Sequence, residues 1–160
     1  VKNLILLLGS NVGNRALNLE KARNLISFRI GKIEKESKIF ETAPWGNTNQ
    51  PSFYNQCITI HCAISPLEVL RICKKIEEIV GRIETEKWGP RIIDIDILAY
   101  GDIVLELSDL SIPHPHLQDR RFALEPMNTI APDWIHPLLK KNTSELLNEC
   151  KDDQSVLPIH

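Results

Sequence analysis

Two aspartates stand two residues apart in the run Ile92-Ile93-Asp94-Ile95-Asp96-Ile97-Leu98. In an extended strand side chains alternate between faces. Ile93, Ile95 and Ile97 then share one face, and Asp94 and Asp96 share the other with their backbones roughly 7 Å apart. Aspartate is depleted in strands, and two like charges on one face repel unless a positive charge lies beside them. Magnesium suits such a pair, because it takes one or two carboxylates and completes its shell with water and phosphate oxygens. The alternative is a polar strand face that simply meets solvent. Directly upstream lies Trp88-Gly89-Pro90-Arg91, with Arg91 three residues before Asp94 and Arg82 opening the same loop. Guanidinium groups match phosphate oxygens through paired donors, although either arginine alone could be an ordinary ion-pair partner. Two arginines, two strand aspartates and a stiff Gly-Pro turn together point to phosphoryl chemistry.

Two further groups could complete a site. Downstream, His114 lies between Pro113 and Pro115, followed by His116 and the pair Arg120-Arg121. No cysteine or further histidine is spaced to make a zinc site of it, and both groups could be ordinary structural or solvated residues. Upstream, Thr42-Ala43-Pro44-Trp45-Gly46 precedes Gln50-Pro51-Ser52-Phe53-Tyr54-Asn55. Phe53 and Asn55 alternate onto one face at the start of a strand. An aromatic with an amide can hold a flat heterocycle by stacking and edge hydrogen bonds, or can be a core aromatic with a turn amide. Gly9-Ser10-Asn11-Val12-Gly13 lacks the endings of phosphate-binding and dinucleotide loops.

The elements that must position these residues follow from periodicity. Val1–Leu8 reads as a buried strand. Asn14 caps a helix to about Arg29, with Leu19, Ala22 and Ile26 on one side. A second strand is expected over Lys32–Glu41 and a third over Phe53–Ile64. Ser65-Pro66-Leu67-Glu68 is a helix start with a capping box, leading to an apolar stripe of Val69, Ile72, Ile76, Ile79 and Val80, and Gly81 is its stop. A polar loop over Arg82–Arg91 precedes a strand at Ile92–Tyr100. Gly101-Asp102 signals a tight hairpin into Ile103–Leu107. Ser111–Leu117 is expected to be irregular, Gln118–Ile130 to be partly helical with Pro126 interrupting, and Asn142–Cys150 to be a short helix boxed by Asn142 and Glu145. The order β-α-β-β-α-β predicts an α+β, ferredoxin-like fold, a mainly antiparallel sheet flanked by helices.

The 160 residues are the size of one domain, so residues 1–160 are expected to fold as a single unit. A hydrophobic share of 42%, a charged share of 25% and a net charge of −2 are those of an ordinary globular protein without the basic face of a duplex binder. Cys57, Cys62, Cys73 and Cys150 form no C-x-x-C pair, and Cys57 and Cys62 fall on opposite faces of the third strand, so free thiols and a reducing compartment are expected. The opening apolar run is too short to span a bilayer. No nucleic-acid or membrane partner is expected, and the location is expected to be cytoplasmic.

Taken in order, Gly9-Ser10-Asn11, Thr42 to Gly46, Gln50 to Asn55, Glu77, Gly81-Arg82, Trp88 to Asp96, Pro113-His114 and Arg120-Arg121-Phe122 resemble the 6-hydroxymethyl-7,8-dihydropterin pyrophosphokinase family of folate biosynthesis. The resemblance runs over nearly the whole chain, and the string from Trp88 to Asp96 is its most specific part. It implies transfer of pyrophosphate from ATP to the pterin hydroxymethyl group with release of AMP. By the same resemblance Asp94 and Asp96 hold two magnesium ions, and Arg82 and Arg91 join them as catalytic residues that neutralise charge on the phosphates. Leu70, Glu77, Trp88, Ile97, His114 and Arg120 bind ATP. Thr42, Pro44, Gly46, Phe53, Asn55 and Phe122 bind the pterin. The family's usual state implies a monomer. A rival from another class is a non-enzymatic ferredoxin-like module; its RNA-binding form needs sheet aromatics on a basic face, whereas the key strand here shows two aspartates.

Overall fold

An unbroken apolar run with no charge inside it, Leu4-Ile5-Leu6-Leu7-Leu8, is buried on both sides and lies inside the sheet. The computed structural model describes residues 1–42, 49–81 and 92–159. Strand β1 (Lys2–Ser10) pairs antiparallel with β4 (Phe53–Cys62) on one side and β5 (Asp94–Tyr100) on the other. Leu4, Leu6 and Leu8 face helices α1 (Arg15–Arg29) and α2 (Pro66–Gly81). Ile5 and Leu7 face the opposite way, toward α3 (Arg121–Ile130) and α4 (Thr143–Glu149). Each fully buried Leu or Ile contributes about 1.5–3 kcal/mol, so this strand anchors both halves of the core. β2 (Ile33–Glu36) and β3 (Phe40–Thr42) both pair with β4, and β8 (Val156–Pro158) pairs with β3. All pairings are antiparallel, and the sheet runs β5-β1-β4-β3-β8 with β2 also on β4. This is the expected α+β, ferredoxin-like arrangement, extended by β8 and by helices on the second face.

Local chemistry accounts for the boundaries. The Asn14 side chain accepts from the Leu17 amide at 3.1 Å and starts α1. Asn142 and Glu145 form the reciprocal capping box of α4. At α2 only half of the expected box forms: Ser65 Oγ accepts from the Glu68 amide, while the Glu68 carboxylate turns outward to Arg71. Cys73 rather than Ile79 completes the buried stripe of α2. Cys57 and Cys62 do lie on opposite faces, and all four cysteines are free thiols. No helix among the described residues is long and apolar enough to cross a membrane.

Three expectations are corrected. The single second strand is two, because buried Ser37 breaks it: its Oγ accepts from the Cys57 amide at 3.0 Å and its carbonyl accepts from the Gln56 side chain at 2.7 Å. Gly101, at φ +56, does turn the chain, but the strand after it does not pair back on β5. β6 (Leu105–Glu106) pairs instead with β7 (Ser111–Ile112), in a stretch expected to be irregular. The outer edge of β5 is already taken, since Glu77 accepts from the Ile95 amide at 2.8 Å and the Leu98 carbonyl accepts from the His114 amide at 2.9 Å. Finally, Pro126 does not interrupt α3. It gives up the N–H that would reach the Phe122 carbonyl, and its buried ring joins Ala123, Leu124 and Met127 against the sheet.

Candidate active site

Strand alternation and register build the site on one half of one sheet face. On the side of β1 that faces α3 and α4, Ile5 and Leu7 are covered, and the next residue on that side is Gly9. Gly9 lies between Asn55 of β4 and Asp94 of β5, and Leu7 lies opposite Asp96. α3 and α4 do not extend over this end of the sheet. What remains is a pocket of about 510 Å³ whose lining includes Gly9, Phe53, Asn55, Asp94, Asp96 and Phe122. Asp94 and Asp96 are half-buried here, while Ile93, Ile95 and Ile97 of the same strand are buried on the other side with α1 and α2.

The absence of a side chain at Gly9 is a requirement of the site. A β-carbon there would come within 2.8 Å of Asn55 Oδ1, so any other residue would push the amide away. Asn55 is buried, and its Nδ2 donates to Thr42 Oγ1 at 3.0 Å, fixing one side of the amide. Phe53 is set by the residue before it: Arg15 Nη1 donates to the Ser52 carbonyl and hydroxyl, both at 2.8 Å, and its guanidinium stacks on Tyr54. Across the pocket, Arg120 ends a short 3-10 turn (Leu117–Asp119), and its carbonyl accepts the Ala123 and Leu124 amides of α3. Its guanidinium lies 5.7 Å from the Phe122 ring. Phe53, the Asn55 amide and the Thr42 hydroxyl therefore lie on the β4 side of Gly9 and the carboxylates of Asp94 and Asp96 on its β5 side, with Phe122 in the same lining.

His114 stands beside this pocket. A β-bulge at Leu98 turns that carbonyl outward, where it accepts the His114 amide. His114 Nδ1 accepts from the His116 amide at 3.1 Å. Burial, then the charge of Arg120 and then His116, push the His114 imidazole down to about 4. It is therefore neutral at ordinary pH, and with Nδ1 accepting, the proton sits on Nε2, which can donate to an anion.

The expected residues divide as follows. Thr42, Phe53, Asn55, Asp94, Asp96, Arg120 and Phe122 all line the pocket. Leu70 and Ile97 pack on the other face of the sheet, in the cluster formed with α1 and α2, and Glu77 joins α2 to β5 through the Ile95 amide. Pro44, Gly46, Arg82, Trp88 and Arg91 lie outside the described residues. Leu7 and Gln154 line the pocket without having been singled out, while Gly9, His116 and Asp119 line it from stretches that the sequence marks without giving those residues a role. The register of β1 against β4 and β5 places Gly9, and no local pattern announces it; Gln154 sits in a tail that carries no motif.

The two aspartates fit a hard cation. Their donor set is oxygen only, they share one half-buried face, and the pocket in front of them is open to a phosphate. Among the described residues no cluster of three or more His, Cys, Asp or Glu forms, and two carboxylates are what magnesium uses when water and phosphate fill the rest of its shell.

Comparison with known proteins decides the lineage. The family model described as 7,8-dihydro-6-hydroxymethylpterin-pyrophosphokinase (HPPK) matches residues 5–132. The chain belongs to this family. A 2-amino-4-hydroxy-6-hydroxymethyldihydropteridine pyrophosphokinase of Aquifex aeolicus is 42% identical over 151 residues, covering 94% of this chain and 91% of its own. The protein of the same name from Synechocystis is 39% identical over 153 residues, covering 95% of this chain and 77% of its own. Among solved structures, wild-type Plasmodium falciparum HPPK-DHPS with pterin and p-hydroxybenzoate superposes with a TM-score of 0.75 at 23% identity, over 92% of this chain and 43% of that one. That likeness concerns the fold, and the chain spans less than half of the longer Plasmodium protein.

Proposed function

We propose that this family member transfers the pyrophosphoryl group of ATP to the hydroxymethyl group of 6-hydroxymethyl-7,8-dihydropterin, in folate biosynthesis. The observation that carries the reading is one pocket with a stacking end, Phe53 and Phe122 about the Asn55 amide, and an acidic end, Asp94 and Asp96. The relatives' names supply the substrate class. In the reaction the acceptor hydroxyl oxygen bonds to the β-phosphorus, the bond from that phosphorus to the oxygen of AMP breaks, and AMP leaves with the electron pair. The hydroxyl gives up one proton.

Each residue then has a task. Phe53 and Phe122 hold the pterin between them, and Asn55 with Thr42 reads its edge. The loop residues Pro44 and Gly46 border the same ring. Asp94 and Asp96 would hold two magnesium ions, which would supply charge neutralisation on the phosphates. Arg82 and Arg91 stabilise charge that grows on the phosphates. His114 Nε2–H and the Arg120 guanidinium donate to phosphate oxygens; the family resemblance adds Leu70, Glu77, Trp88 and Ile97 to the nucleotide side, with Leu70 and Ile97 on the opposite face of the sheet and Glu77 at the outer edge of β5. A monomer of one pyrophosphokinase domain, working in the cytoplasm, belongs to the same reading.

The test is the identity of the nucleotide product. With acceptor and magnesium present, chromatography should give AMP; a chelator in excess should stop turnover. Formation of ADP as the main product would replace the reading with an ordinary kinase.

A further inference from the structure

Helix α3 starts at the pocket, yet its own sequence does not cap it. Arg120, at the N-cap position, makes no side-chain bond to the first turn. Its carbonyl takes the Ala123 and Leu124 amides, and the Arg121 amide is one of those that need an acceptor from outside the helix. That acceptor lies 31 residues along the chain, where Asp152 Oδ2 takes the Arg121 amide at 3.1 Å. The contact is returned. The Arg121 guanidinium donates to the Asp152 carbonyl at 2.6 Å, to the Cys150 carbonyl at 3.2 Å and to Glu125 at 3.2 Å, so all three of its nitrogens are engaged. Arg121 is not part of the pocket lining, whereas Arg120 and Phe122 on either side of it are. Asp152 belongs to a segment beyond the residues 5–132 that match the family model. Its Oδ1 accepts the backbone amide of Gln154 at 3.0 Å, and the chain then enters β8, where Val156 lies opposite Thr42. The segment thus ties the start of α3 to the edge of β3, and both carry residues of the pocket.

We propose that Asp152 is a positioning residue for the reaction: by capping α3 from outside the helix it holds Arg120 and Phe122 at the pocket. The proposal rests on the pyrophosphokinase reading, in which Phe122 stacks on the pterin and Arg120 meets phosphate. The arrangement turns on three consecutive residues. The middle one is bonded to the C-terminal segment through both its amide and its guanidinium, and the two that flank it are set by that anchorage. A carboxylate also suits the partial positive charge at a helix N-terminus. Restraint of the two side chains before the substrates arrive lowers the ordering cost of binding.

Asp152→Ala and Asp152→Asn test it, the second keeping an oxygen that can accept the Arg121 amide. Steady-state rates with acceptor and ATP varied separately should show both KM values about fivefold higher in Asp152→Ala, the worth of one helix cap. Asp152→Asn should bring both back to within about twofold of wild type. A merely structural tie would lower the Tm of Asp152→Ala and leave the KM values of the folded enzyme alone. If neither KM of Asp152→Ala rises beyond about twofold, the proposal is overturned. An Asp152→Asn enzyme as impaired as Asp152→Ala overturns it too. Calorimetric titration with 6-hydroxymethylpterin separates the proposal from the reading beneath it. Wild-type protein that makes no AMP refutes the pyrophosphokinase reading. In that event equal pterin affinity in wild type and Asp152→Ala refutes the role of Asp152, and an affinity about fivefold lower in the variant supports it.

Discussion

The two halves of one sheet face make the sharpest contrast in the molecule. On the side of the sheet that meets α3 and α4, Ile5, Cys57 and Leu98 are sealed beneath those helices. A few residues along the same three strands, on the same pleat, Gly9, Asn55 and Asp94 line an open pocket. Both halves are built on the same three antiparallel strands, with a β-bulge at Leu98 in the sealed one. Residue type alone separates them: apolar volume where a helix can pack, and a missing side chain, an amide and carboxylates where none does. Burial there would leave two carboxylates without solvent, which costs several kcal/mol per ion, so this half stays open and is left for ligands. Cys57 shows the other side of the same rule. Burial drives its thiol far above the usual range, so that it serves as a small apolar residue and not as a nucleophile.

Substitutions in the two halves should therefore fail in different ways. The largest effect on turnover is expected at the open end: Asp96→Ala should lower kcat by roughly 10²–10³-fold, comparable to losing an electrostatic contact to the transition state. Thermal denaturation of the same variant should show a Tm close to that of wild type, because Asp96 is half-buried at the open pocket and not sealed beneath α3 and α4. In the sealed half, Ile5→Ala should do the reverse. It should cost about 2–5 kcal/mol of stability by leaving a cavity, measured by urea unfolding, while the folded protein keeps kcat within about threefold. If Ile5→Ala lost turnover and Asp96→Ala lost stability, the division would be wrong.

Gly9→Ala probes the border between the halves, on the same strand face as Ile5. The added methyl group must displace the Asn55 amide. The KM for the acceptor should rise about tenfold, the loss of one edge hydrogen bond, with the KM for ATP little changed. The smallest expected effect concerns His114. Its imidazole is held at about 4 against an ordinary 6.5, so below about 6.5 the unfolded chain binds a proton that the folded one refuses. Stability from this group is complete above pH 6.5 and is lost as the pH falls toward 4. Tm measured against pH for wild type and His114→Gln should diverge in that window, with the wild type falling more steeply; parallel curves would remove His114 as the cause.

Much of the arrangement is legible in the residues. Period-two alternation alone sets Asp94 and Asp96 on the face opposite Ile93, Ile95 and Ile97, as the structure has them. Asn14 and the Asn142–Glu145 box mark their helices because capping is local chemistry. What escapes is whatever depends on pairing between distant segments. Ser37 splits a strand by bonding to Gln56 and Cys57, and nothing near Ser37 in sequence signals it. Gly9 looks like any turn glycine until register sets it between Asn55 and Asp94. The hairpin after Gly101 fails because Glu77 and His114 already hold the edge of β5. Gln154 is brought to the pocket by the contacts of its segment with Arg121 and β3.

The central claim is that the open half of this face moves two phosphates together. Phosphorus NMR of a completed reaction follows both of them at once. The account predicts AMP and a pterin carrying a pyrophosphate ester in equal amounts, with Asp96→Ala forming both roughly 10²–10³-fold more slowly. Signals of ADP and a singly phosphorylated pterin, or of AMP with free pyrophosphate and unmodified pterin, would contradict it.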